Sequence, residues 1–307
     1  MADQPRMQQP NFKLRQYNRL GGRRIVVGLF LPCLLLVLGL AGCEAPAPPE
    51  EPEPQPLEIG GKFDEKTTGT ISGRVVWSST VPQSPPFNVA LPVPGGGTQS
   101  QLVPNPNTPK INAQTGAVAA AVVYLEELDP ERAKPWNLAP VRVETRALAV
   151  RILQGDTVVP VGFVRQGEEI EMVSREAVMQ SLCVRGAAFF SLSFPDPDRP
   201  LRRRLNEPGL VELSSGMGHY WWRGYLFVCR HPYFTWTDAD GRFTLTQVPA
   251  GDVRVVCWLP NPKCAPERDP NTIGILRVSY DKPFERALPI RLEAGDDKQL
   301  EIRMNLD

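Results

Sequence analysis

The chain has 307 residues, 42% of them apolar, with 34 basic and 34 acidic side chains, 33 prolines and 2 histidines. This length and apolar content exclude wholesale disorder and suit one large or two ordinary domains. Zero formal charge excludes nucleic-acid binding driven by a global basic field, and so many prolines exclude an architecture of long helices.

Arg6, Lys13, Arg15, Arg19, Arg23 and Arg24 precede an uninterrupted apolar run, IVVGLFLPCLLLVLGLAG, over residues 25–42. A basic segment ahead of an apolar stretch is the pattern of a secretory signal. The run closes on Leu40-Ala41-Gly42-Cys43, which resembles the lipobox of bacterial lipoproteins. That resemblance implies a signal peptide over residues 1–42, lipid on Cys43, and a body held on the non-cytoplasmic side of a membrane in the cell envelope. The alternative is an uncleaved anchor, since about 18 apolar residues just span a bilayer. Beyond residue 42 the chain carries 28 basic and 33 acidic groups, a net of −5. Residues 43–66 begin with Cys43 and EAPAPPEEPEPQPLE, whose fixed proline φ and repelling glutamates predict an extended, disordered tether.

From residue 67 onward the pattern is β. TGTISGRVVW, AVAAAVVYL, ALAVRIL, TVVPVGFV, EIEMV, GLVEL, YLFV, RFTLTQV, DVRVVCWL, ILRVSY, ALPIRLE and KQLEIRMNL are short, rich in valine and isoleucine, and bounded by turn residues. RFTLTQV and KQLEIRM alternate with period two, as half-buried antiparallel strands do. SREAVMQSL, residues 174–182, is the one stretch that suggests a helical turn. Residues 82–110, with their prolines and triple glycine, read as a long surface loop. The fold class expected is all-β, as antiparallel sandwiches.

The stretch ALAVRILQGDTVVPVGFVRQGEEIEMVSRE, continued by LCVRG and by EPGLVELSSGMGHYWWRGYLFVC, is similar in order to the cupredoxin-like domains of bacterial envelope proteins. That likeness assigns residues 140–229. A blue-copper site needs two imidazoles and a thiolate, with a weak axial thioether. Cys183 lies where the first histidine of that family falls, and Gly216 where its ligand cysteine stands. His219 keeps the second histidine, and Trp222 replaces the methionine. The resemblance therefore implies the fold without copper or another cofactor, Cys183 and His219 being the alternative metal ligands. In the run His219-Tyr220-Trp221-Trp222-Arg223, neighbours on a strand point to opposite faces. Trp222 is then the core filler, and Trp221, with His219 and Tyr220, the candidate ligand contact.

TWTDADGRFTLTQVPAGDVRVVCWLP, residues 235–260, resembles the carboxypeptidase regulatory-like, transthyretin-like sandwich, a small accessory module that is usually non-catalytic. Asp238-Ala239-Asp240-Gly241 is expected to make a hairpin turn. It lacks the closing glutamate of a calcium loop. Residues 67–139 would supply the opening strands of this sandwich and residues 230–307 the rest, either nested around 140–229 or in series with it. Outside the cytoplasm Cys183, Cys229, Cys257 and Cys264 are candidate disulfide partners: Cys257 with Cys264 across CWLPNPKC, and Cys183 with Cys229. The alternative is four buried thiols.

No GxSxG elbow, P-loop or dinucleotide fingerprint is present, and no enzyme activity is expected. The expected function is a non-catalytic envelope lipoprotein serving as a binding or assembly module for a protein or polysaccharide, with no nucleic-acid partner. The rival reading is a copper-binding or electron-transfer cupredoxin.

Overall fold

A computed structural model describes residues 59–306 apart from Pro94, Leu148, Asp269 and residues 271–274. The expected signal peptide, Cys43 and the expected tether up to residue 58 lie outside the described residues. Residues 59–66 do not continue a free tether. The Gly60 and Lys62 amides donate to the Pro130 and Glu131 carbonyls, and Ile59 packs on the adjacent core. No helix among the described residues is long and apolar enough to cross a membrane.

The body is all-β, built as four stacked sheets. The first holds Arg242–Pro249, Thr68–Trp77 and Asp297–Met304 in that order. The second holds Phe234–Trp236, Val122–Glu126, Gly251–Leu259 and Phe284–Leu292. Together they form one sandwich, whose core includes Ile71, Val75, Phe243, Leu125, Val255 and Ile302. The third sheet runs Gly162–Arg165, Gly224–Cys229, Gly209–Ser215, Gln180–Gly186, Phe190–Phe194. The fourth runs Leu201–Arg204, Glu169–Ser174, Val141–Arg146, Ala149–Gln154, Thr157–Val159. These two enclose a second core around Val143, Ile170, Met172, Leu182, Leu213 and Leu226. Most ladders are antiparallel, but Thr68–Trp77 runs parallel to Asp297–Met304, Gly162–Arg165 parallel to Gly224–Cys229, and Glu169–Ser174 parallel to Val141–Arg146.

Strand pairing places the second sandwich inside the sequence of the first. Tyr124 and Phe234 are direct partners although the entire second sandwich lies between them in the chain. The two sandwiches meet face to face. Val122, Tyr124, Val256 and Trp258 on one side pack against Phe163, Tyr225, Phe227 and Cys229 on the other. This contact explains three apolar runs that do not alternate. In VVYLE, RVVCWL and YLFVC, odd and even residues both face a core, so both must be apolar. Rings dominate the contact: Tyr124 stacks on Phe234 at 4.9 Å and Trp236 on Phe163 at 4.6 Å.

Three expectations are corrected. Residues 82–110 are not a plain surface loop: Phe87–Pro92 and Thr98–Val103 pair as a hairpin, and Asn105 and Asn107 beyond it are buried. Their amides replace the apolar burial such a segment lacks. Asn105 Nδ2 donates to the Pro262 carbonyl at 2.8 Å, and Asn107 Nδ2 to the Tyr225 hydroxyl at 2.8 Å and the Asn261 carbonyl at 3.0 Å. Residues 174–182 form no helix; the chain bends after Ser174 and re-enters a strand at Gln180. The Asp238–Gly241 turn forms, with Gly241 at φ +76 and Asp238 Oδ1 accepting from the Asp240 and Arg242 amides. It is an arch and not a hairpin, because it carries the chain from the second sheet to the first.

Candidate functional site

The outward face of the third sheet is wider than the sheet that covers it. Strand alternation turns Leu182, Val184, Val211 and Leu213 into the second core, and so turns Cys183, Arg185, Glu212 and Ser214 the other way. The second sheet covers Tyr225 and Phe227 but leaves this part open. A hairpin of Cys264–Arg268 and Ile275–Tyr280 leans over it from the first sandwich, and the turn at residues 216–223 closes one end. The result is a cleft of about 300 Å³ between the sandwiches, floored by Cys183, Arg185, Glu212 and Ser214 and walled by His219, Arg223, Trp258 and Tyr280.

Arg223 is the centre of this cleft. Its side chain is 12% exposed. Nη1 donates to Glu212 Oε2 at 3.0 Å, Nη2 to the Val278 carbonyl at 3.1 Å, and the guanidinium lies 4.8 Å from the Tyr280 ring centre. One side chain of the second sandwich thus holds the overhanging hairpin of the first. Arg223 Nε and the neighbouring Trp222 Nε1 are buried donors with no acceptor among the described residues. Asn105 and Asn107 brace the opposite wall through the hydroxyls of Tyr280 and Tyr225. Burial pushes Tyr225 up to about 12, against the opposing charge of Arg223, and raises Cys264 and Tyr280 against the same charge. Burial lowers His219, with Glu176 opposing, so its imidazole is neutral at pH 7.

The structure brings Cys183, His219 and Tyr220 to one cleft. It does not separate the two tryptophans. Residues 219–223 form a turn and not a strand, so alternation does not apply. Trp222 is 1% exposed and Trp221 7%. Both indoles sit beneath the Phe87–Pro92/Thr98–Val103 hairpin with Val89, and Tyr220 donates to the Asn88 carbonyl at 2.9 Å. Trp221 is therefore not the exposed contact expected of it; it faces a second hollow under that hairpin.

The expected disulfides are absent: Cys183, Cys229, Cys257 and Cys264 are free thiols. Cys257 points into the first core, away from the hairpin that carries Cys264. Cys229 lies in the contact between sandwiches, and a whole strand, Gly209–Ser215, separates it from the strand of Cys183. Burial raises the Cys229 and Cys257 thiols well above their ordinary range.

The donor set does not fit a blue-copper centre. A Cβ at Gly216 would fall 2.5 Å from Ser181 Oγ and 3.2 Å from Cys183 Sγ, so the space for a ligand there is already filled. Among the described residues, no three His, Cys, Asp or Glu side chains gather as a metal site. Arg185, Glu212, Tyr225 and Tyr280 escape sequence reasoning because they converge from two sandwiches. The one linear signal was Arg223, adjoining the aromatic run.

No family profile matches the chain, and no curated protein matches it. Among solved structures, the reduced state of an amicyanin mutant is 16% identical, with a TM-score of 0.23, covering 32% of this chain and 96% of that one. The Cu(I) form of another amicyanin mutant is 17% identical, again at 0.23, covering 35% and 98%.

Proposed function

We propose that the chain is a non-catalytic binding module of the bacterial cell envelope, held at a membrane by lipid on Cys43, with the cleft between its sandwiches as the ligand site. The observation that carries this reading is the cleft itself, whose polar walls are fixed by Arg223, Asn105 and Asn107. Pockets that bind small ligands combine aromatic walls with a few placed polar groups in this way. The reading as non-catalytic draws on the sequence, which carries no GxSxG elbow, P-loop or dinucleotide fingerprint. The ligand is an envelope polysaccharide or protein segment. The rival, copper binding, draws on Cys183 and His219 sharing the cleft.

Thermal melts of the full chain in detergent, against a panel of envelope saccharides and peptides, test the proposal. A ligand that raises Tm saturably, and less so in Tyr280→Ala, is the expected result. Stoichiometric copper with a visible thiolate charge-transfer band, and no panel member binding, would overturn it.

A further inference from the structure

The charges that line the cleft are unevenly satisfied. Glu212 is engaged by Arg223 at 3.0 Å and Asp281 by Lys263 at 2.9 Å, while Arg277 pairs with Glu267. Arg185 stands directly opposite Glu212 in the ladder, the natural place for a cross-strand ion pair. Glu212 turns to Arg223 instead, and Arg185 has no carboxylate partner among the described residues. Each lining carboxylate thus has a basic partner, while one guanidinium on the floor has none. A guanidinium presents a planar fork of donors suited to a carboxylate. Beside it are two hydroxyls: Ser214 on the floor, which donates to the Cys183 carbonyl at 3.5 Å and keeps its lone pairs to accept, and Ser279 on the rim, exposed and with no side-chain partner among the described residues. A volume of about 300 Å³ suits a ligand of one or two sugar rings.

We propose that the cleft takes a polyhydroxylated carboxylate, the chemistry of a sugar acid, with its carboxylate on Arg185 and its hydroxyls among Ser214, Ser279 and the Tyr280 wall. This rests on the cleft being the ligand site.

Trp222 and Trp258 line the cleft, so intrinsic fluorescence reports its occupancy. The full chain in detergent is titrated with digalacturonate, with the neutral galactose disaccharide and with sodium acetate. The expected result is a saturable change with digalacturonate alone. Arg185→Ala should weaken it at least tenfold and Arg185→Lys partly restore it, with unchanged Tm in both, since Arg185 is exposed. Equal binding of the neutral disaccharide, or indifference to Arg185→Ala, overturns the inference and leaves the binding-module reading standing. Saturation by acetate at the same concentrations also overturns it, because the hydroxyls would then contribute nothing. No saturation with digalacturonate overturns it as well, and the binding-module reading is then decided separately by the panel melts.

Discussion

His231 sits where the chain returns from the second sandwich to the first, 6% exposed and ring to ring with Phe234 at 5.6 Å. Burial lowers it to about 4, so the folded protein keeps it neutral well below the value of about 6.5 expected when unfolded. Between those values the unfolded chain binds the extra proton. Its contribution to stability is therefore complete above pH 6.5 and lost as the pH falls toward 4, by about 3 kcal/mol in total. Urea unfolding at pH 7 and pH 5 should show about half of this loss, and His231→Gln should remove most of its slope. The same slope in wild type and variant would refute the assignment. His219 shifts in the same direction and adds to the wild-type slope.

Among the elements, the Phe87–Pro92/Thr98–Val103 hairpin covers Trp221, Trp222 and the Tyr220 ring, so the aromatic turn and the hairpin depend on one another. Trp222→Ala and Trp221→Ala should each cost about 3 to 5 kcal/mol, because each leaves a cavity beneath the hairpin. Tyr220→Phe should cost only about 1 kcal/mol, the worth of its bond to the Asn88 carbonyl. Denaturant midpoints of the three variants check the ranking, and a small loss in Trp221→Ala would restore that indole as a surface contact. Local strands were legible because period-two alternation and turn residues are local signals, as RFTLTQV and the Asp238–Gly241 arch illustrate. The hairpin was not, since FNVALP and TQSQLV carry a proline and polar residues around a glycine turn, TQSQLV is mostly exposed, and Val89 is buried only against a distant aromatic loop. The tryptophans were misread for a related reason: an assumed strand supplied an alternation that a turn does not have. The cleft was the least legible feature, because Arg185, Arg223 and Tyr280 meet only after strand pairing, which no linear pattern encodes.

At the scale of the whole molecule, the lipid anchor proposed on Cys43 has a direct test. Cys43→Ser should abolish incorporation of radiolabelled fatty acid and leave the precursor uncleaved; equal label in the variant would remove the lipid anchor. The order of sandwiches within the chain has a mechanical consequence. The second sandwich leaves the first after the strand carrying Tyr124 and returns at Phe234, its direct partner, so it is tethered at two adjacent points and glued by a ring-filled face. A domain hung on a single linker can swing; one fastened at both ends and packed along its length cannot open like a jaw. The cleft is thus shaped in advance, and a ligand bound there would forfeit little conformational entropy, so even a few well-placed contacts would translate into affinity.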